Sequence, residues 1–228
     1  NDTQSKFLLG ICYYNGLGID QDFKTAIYWF NMAADKGHSD AQAALANCYA
    51  YGKGVDLNYY LAAYWYRKAA LSGNAQAQNN LGICYLNGNG VTRDAKEAVK
   101  WFTQAADQGD AEAMCNLGTC YYKGEGVLQS YVTAMKLYLQ AAEKSHAKAQ
   151  LLLGDCYYNG RGTHTDTTEG IKWYKKAAYQ GQFPVCRNSQ EYQGFLHKDI
   201  LKHNYDLGYI IYWVTTAVWL IQAKTSNG

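Results

Sequence analysis

Proline is nearly absent, with one residue in 228. Its scarcity removes the commonest helix breaker, and the 22 glycines read as the turns that punctuate helices. Charge of one sign is lacking too. Lys and Arg number 21 against 19 Asp and Glu, a net +2, which gives no electrostatic basis for binding nucleic acid or an anionic membrane. Only 18% of residues are charged while 48% are apolar, a balance that excludes disorder and supplies one or two domains with a core. The first ten residues, NDTQSKFLLG, lack the charged and apolar regions of a secretory signal. The chain begins at Asn1, as a mature form or a fragment would, so the compartment is not read from that end. No stretch reads as a strand, and neither GxSxG nor HExxH occurs, so no catalytic residue is assigned.

What is present is a period. Gly16, Gly52, Gly88, Gly124 and Gly160 are each 36 residues apart, as are Gly18, Gly54, Gly90, Gly126 and Gly162. Tyr13, Tyr49, Tyr85, Tyr121 and Tyr157 keep the same spacing, and so do the alanine pairs that begin at Ala33, Ala69, Ala105, Ala141 and Ala177. Such self-similarity is the mark of a tandem array. Each unit divides into two helical stretches around the GxG turn. In the third unit the second stretch places Ala98, Trp101, Phe102, Ala105 and Ala106 at spacings of three and four. Asp22, Asn58, Asp94, Ser130 and Asp166 stand at its start in successive units, and all are good N-caps. Glu97 and Glu169 follow their caps by three residues, as in a capping box.

A sixth, degenerate unit aligns when the offset is widened by four residues, about one helical turn, which matches Asp206 to Asp166, Trp213 to Trp173 and Ala217 to Ala177. The expected fold is therefore all-α: an α/α superhelical solenoid of about six helix-turn-helix repeats. Residues 1–182 form five regular units, and residues 183–228 form the altered sixth and a C-terminal cap or interface segment.

The unit AQAQNNLGICYLNGNGVTRDAKEAVKWFTQAADQG, residues 75–109, resembles the Sel-one-like repeat, a relative of the tetratricopeptide repeat with a longer period. Local departures are Ala46 for glycine, Leu137 for tryptophan and Ser145 for the glycine between repeats. The resemblance implies a non-catalytic scaffold or adaptor that engages a protein or peptide partner.

Competing chemistry is weak. Cys12, Cys48, Cys84, Cys120 and Cys156 fill one column, so equivalent atoms lie about 10 Å apart, one interhelical spacing and beyond disulfide reach. They read as buried, reduced hydrophobes, which favours a cytosolic setting. None of the GxG turns follows a strand or extends to GxGxxG, so no phosphate site is assigned. His197 and His203 have no cysteine or carboxylate at metal-ligand spacing, and His38 and His146 share a turn column; no metal or cofactor is expected.

Specificity must lie where the units differ. The family's inner groove, carried over onto the first helix of each unit, falls on three positions per repeat. They are Phe7, Ile11 and Tyr14; Ala43, Asn47 and Ala50; Asn79, Ile83 and Leu86; Cys115, Thr119 and Tyr122; Leu151, Asp155 and Tyr158. Of these, Tyr14, Asn47, Asn79, Ile83, Thr119, Tyr122, Asp155 and Tyr158 are the expected partner-binding residues. The asparagines are suited to hold a peptide backbone and the tyrosines to anchor side chains. Without Lys or Arg in the lining, the expected ligand is a neutral, partly apolar peptide or a helix.

A second reading concerns the C-terminal end. LGYIIYWVTTAVWLIQA, residues 207–223, carries no charge over 17 residues, at the short edge of a membrane span. Its alignment to a repeat's second helix favours a helix of the array over a membrane segment. It leaves Trp219, Leu220 and Ile221 where a polar cap is normal. Such a surface fits self-assembly into a homo-oligomer or filament through heterologous contacts.

Overall fold

A computed structural model of the chain describes residues Asp2–Gln180. It contains ten helices and no strand among these residues: α1 (Thr3–Asn15), α2 (Phe23–Ala34), α3 (Ser39–Tyr51), α4 (Tyr59–Leu71), α5 (Ala75–Asn87), α6 (Ala95–Asp107), α7 (Ala111–Lys123), α8 (Tyr131–Glu143), α9 (Ala147–Asn159) and α10 (Thr167–Tyr179). Each helix packs against the next in the chain, so the five pairs stack as a linear array. The expected solenoid is thereby borne out over its five regular units. The sixth unit, Cys186, His197, His203 and the candidate interface Trp219, Leu220 and Ile221 lie outside the described residues.

The caps explain where helices begin and end. All five residues expected to cap the even-numbered helices do so; Asp94, for example, accepts from the N–H groups of Lys96 and Glu97 at 2.9 and 3.0 Å. Each odd-numbered helix ends on the first glycine of GxG. At Gly88 a left-handed φ of 77° lets its N–H reach the Cys84 carbonyl at 2.8 Å. The second glycine has another duty. A Cβ on Gly90, where φ is 71°, would stand 2.0 Å from the carbonyl oxygen of Tyr59, so the turn of one repeat rests on the first residue of the preceding repeat's second helix.

The core is small-residue packing repeated. The alanine pairs are buried, apart from a half-buried Ala178 in the last, with Phe30, Tyr66, Phe102 and Tyr138 between helices. Gly82 makes room for one of these rings, since a Cβ there would lie 2.6 Å from Phe102. Cys48, Cys84, Cys115, Cys120 and Cys156 are buried free thiols, and burial pushes Cys48 up to about 11 and Cys115 to about 12. Leu137 is accommodated as a partly buried contact in the core. Ser145 retains the turn its glycine counterparts make, but at a φ of 62°.

One column of buried polar residues ties the pairs together. Gln42, Gln78 and Gln150 each donate through Nε2, at 3.1 Å, to the carbonyl of Ala34, Ala70 or Ala142 in the preceding helix. The side-chain oxygens of Gln78 and Gln150 accept from Gln108 and Gln180, thirty residues onward, at 2.7 and 3.0 Å. Ser72 occupies the matching place for Gln42 and is too short. Gln42 Oε1 is consequently buried without a hydrogen-bond partner among the described residues.

Candidate peptide groove

The odd-numbered helices form one face, and polar bridges set their spacing. His38, Asn74 and His146 cap the N-termini of α3, α5 and α9 and also reach back to the preceding odd helix. Asn74 Nδ2 donates to Asp40 at 2.8 Å, and the His38 Nε2 lies 2.8 Å from Gln4. His146 Nδ1 accepts from the Ala149 N–H at 3.1 Å, so its Nε2 carries the proton and donates to Glu112 at 2.8 Å. That hydrogen bond holds the Glu112 carboxyl below its ordinary value. The reading of His38 and His146 as a turn column thus gains a second component, because both are helix caps.

The central groove column has a partner column nineteen residues onward. Where the later position is tyrosine, the earlier one is an acceptor. Tyr66 donates to Asn47 at 2.6 Å, Tyr138 to Thr119 at 3.3 Å and Tyr174 to Asp155 at 2.6 Å. Where it is phenylalanine, at Phe30 and Phe102, the earlier residue is Ile11 or Ile83. A buried hydroxyl without a partner costs about 1–3 kcal/mol, so the two columns change together. Asn47, Thr119 and Asp155 therefore each satisfy a tyrosine hydroxyl of the core.

The other expected residues separate by exposure. Asn79 is 4% exposed, and its side-chain oxygen accepts from Asn116 at 2.9 Å. The Tyr122 ring meets Tyr131 edge-on at 5.0 Å, with the Arg161 guanidinium 5.4 Å above it and donating to its hydroxyl. Tyr158 packs near Tyr174, ring centres 6.5 Å apart, and Ile83 is half-buried against the core. Arg161 is a cation beside Tyr122 that the sequence reading did not single out; its signal was an arginine inside a GxG turn.

Two of the eight, Tyr14 and Asn47, meet in one cavity of about 330 Å³. Its floor is apolar, built from Phe7, Ile11, Tyr14 and Phe30, with Ala43 and Ala44 on the neighbouring helix. Asp40, Asn47, Asn74 and Gln76 supply the polar side. The Tyr14 ring is steadied edge-on by Phe23 at 5.2 Å, and Phe7 stacks with His38 at 4.8 Å. Five of the six expected groove positions of the first two units thus line a single recess. Asn79, Ile83, Thr119, Tyr122, Asp155 and Tyr158 are not among its lining residues. No group of three or more His, Cys, Asp or Glu is placed to hold a metal among the described residues. No described helix is long and apolar enough to cross a membrane.

Comparison with known proteins agrees with the repeat fold. A family profile described as Sel1 repeat matches five consecutive segments, residues 3–38, 39–74, 75–110, 111–146 and 147–182. The structure is similar to c5321, a protective antigen of uropathogenic Escherichia coli strains displaying an SLR fold. The TM-score is 0.73 at 35% identity over 79% of this chain, which spans only 38% of the length of that protein. It is equally similar to a Sel1 repeat protein from Oxalobacter formigenes, with a TM-score of 0.73 and 35% identity over 80% of this chain and 75% of the other. A Sel1 repeat protein from Klebsiella pneumoniae, at 22% identity and a TM-score of 0.53 over 79% of this chain and 88% of the other, shares the fold. No curated protein matches the chain. Five matched units covering residues 3–182 establish that the chain belongs to the Sel1 repeat family.

Proposed function

We propose that the odd-helix face is a groove that captures a neutral, partly apolar peptide or helix of a partner protein, making this chain a non-catalytic adaptor. Sel1 repeat proteins are in general protein-interaction scaffolds, and that generality supports the class of function. The observation that carries the specific reading is the 330 Å³ recess, where an apolar floor is bordered by amide groups. A recess of this kind takes one large apolar side chain, and amides beside it can bond the backbone that presents it. Tyr14 and Asn47 begin the binding surface; Ile83, Thr119, Tyr122, Asp155 and Tyr158 continue it along the array, with Asn79 positioning Asn116 from beneath.

The test must remove groove chemistry without unsettling the core. Asn47→Ile combined with Tyr66→Phe installs the apolar pair already found at Ile11 with Phe30 and at Ile83 with Phe102. Affinity capture from native extract, wild type beside this double variant, is read by mass spectrometry. A protein held by wild type and lost by the variant is the expected result. Equal capture by both would place the site elsewhere, and recovery of the chain alone would favour self-assembly through Trp219, Leu220 and Ile221.

A further inference from the structure

The even-numbered helices present the opposite face, and among the described residues α4 exposes more large apolar side chains there than the others, α8 exposing Tyr131 and Val132. Along α4 the exposed positions carry Leu57 just before the helix, then Tyr60, Leu61, Tyr64 and Leu71, with Tyr60 79% and Leu71 73% exposed. The same positions in the third unit are Arg93, Lys96, Glu97, Lys100 and Asp107. Tyr28 extends the patch onto α2 at the place equivalent to Tyr64, whereas units three, four and five have Lys100, Lys136 and Lys172 there. The exposed side of α4 is apolar through its first turns, up to Arg67 and Lys68, although only the other side packs in the core. The uninterrupted apolar stripe runs from Leu57 to Tyr64; Lys68 then lies on the same face, before Leu71.

A cleft of about 680 Å³ opens at the N-terminal end of this stripe, lined by Val55, Leu61 and Tyr49 with Lys24 and Asp56 among its polar groups. Cations stand at both ends. Lys24 lines the cleft, and Lys53 lies 5.7 Å from the Phe23 ring beside it. Beyond Tyr64, the Lys68 ammonium sits 4.8 Å from the Tyr64 ring and 4.9 Å from Trp65, while Arg67 is turned onto Tyr85, 5.8 Å from that ring. The one carboxylate lining the cleft is Asp56.

We propose that the outer face of α4 and this cleft form a second docking surface, for an acidic amphipathic helix of a partner protein. The apolar stripe needs an apolar partner, and cations at its two ends select carboxylates beside that partner's apolar residues. They also disfavour a second copy of the same patch. The backbone of α4 is hydrogen-bonded within its own helix, so the surface offers side chains and no ladder for an extended strand. A partner docking here must satisfy its own backbone, which a helix does. Its apolar residues then recur every three or four positions against the stripe.

The probe is a synthetic 14-residue amphipathic peptide with leucine every third or fourth position and glutamate between, beside a twin with lysine for glutamate. Binding is read by fluorescence anisotropy against the full chain. The comparison protein is Tyr60→Lys/Leu61→Glu/Tyr64→Lys, which reproduces the Lys96, Glu97 and Lys100 surface of the third unit and so suits the fold; circular dichroism verifies it. The triple change leaves the protein one charge more positive, so weaker binding of an acidic peptide would report lost apolar surface and not lost cations. Wild type should bind the acidic peptide at least tenfold more tightly than the basic twin and at least tenfold more tightly than the triple variant does. Lys24→Glu with Lys68→Glu should remove the preference between the twins. The groove variant Asn47→Ile/Tyr66→Phe should bind the peptide like wild type, which separates this surface from the groove. Equal binding of the twins, or equal binding by wild type and triple variant, overturns the proposal. So does a dimer in sedimentation that the triple variant abolishes, or binding to anionic phospholipid vesicles in place of the peptide.

Discussion

The pairing of Asn47 with Tyr66 can be tested as an energy. Tyr66 is 3% exposed and its hydroxyl donates to Asn47 Oδ1 at 2.6 Å. Burial also pushes the Tyr66 phenol well above its ordinary value, so it stays neutral and remains a donor throughout the physiological range. Asn47→Ile alone removes the acceptor and strands a buried hydroxyl, a loss of about 1–3 kcal/mol. The added aliphatic surface offsets only part of it, because that position lies half-exposed beside the recess. Taking about 2 kcal/mol as the net, Tm falls by roughly 4–8 °C for a protein of this size. Tyr66→Phe alone leaves Asn47 able to bond Asn80 or water and should cost about 1 kcal/mol. The double variant replaces both partners and should recover to within about 1 kcal/mol of wild type, giving a coupling of about 2 kcal/mol between the sites. Thermal and urea unfolding of the four proteins supplies the cycle. Additive single effects, or an Asn47→Ile protein as stable as wild type, would refute the argument that the two columns are energetically one unit.

Other consequences follow from the same contacts. Ser72→Gln puts a side-chain amide where Gln108 and Gln180 stand in their own units and should give Gln42 Oε1 its missing donor. The gain is about 1 kcal/mol, visible as a Tm rise of roughly 2–4 °C; an unchanged or lower Tm would count against it. Ser145 holds a left-handed φ of 62° where Gly37, Gly73 and Gly109 stand in the other turns. Ser145→Gly should therefore stabilise by about 0.5–1 kcal/mol, the relief of a strain of about 1–2 kcal/mol less the extra freedom of glycine in the unfolded chain. The Glu112 carboxyl is lowered from 4.5 chiefly by the His146 hydrogen bond. Its contribution is therefore full above the unfolded carboxyl value and is lost as pH falls through the lower folded value. Glu112→Gln should flatten the acid limb of a Tm-against-pH curve below about pH 4.5, converging on wild type at the acid end; parallel curves would show that the bridge is not linked to folding.

The period made the scaffold legible, because every structural duty is written five times. Asp22, Asn58, Asp94, Ser130 and Asp166 read as caps from one column, and the structure uses each of them so. The candidate groove was legible only as positions. Seen column by column, Asn47, Thr119 and Asp155 look like unit-to-unit variation open to a ligand, when each also answers a tyrosine nineteen residues away. Asn79 looks like its neighbour Asn47 in chemistry, yet it is buried under Asn116. Burial of that kind depends on contacts between different columns, and a period alone reports only what happens within one. The chain nevertheless carries the cross-column signal in the alternation of Ile with Phe and acceptor with Tyr. Variation within a repeat array therefore has two physical meanings. A change matched by a compensating change elsewhere in the same unit keeps the core satisfied, as at Asn47 with Tyr66. At Tyr60, Leu61 and Tyr64, an exposed surface changes from charged to apolar, with no buried group to be satisfied by it. Nothing in the solenoid's own packing requires leucine and tyrosine there, so the free energy that such a surface can release is realised only on contact with another molecule.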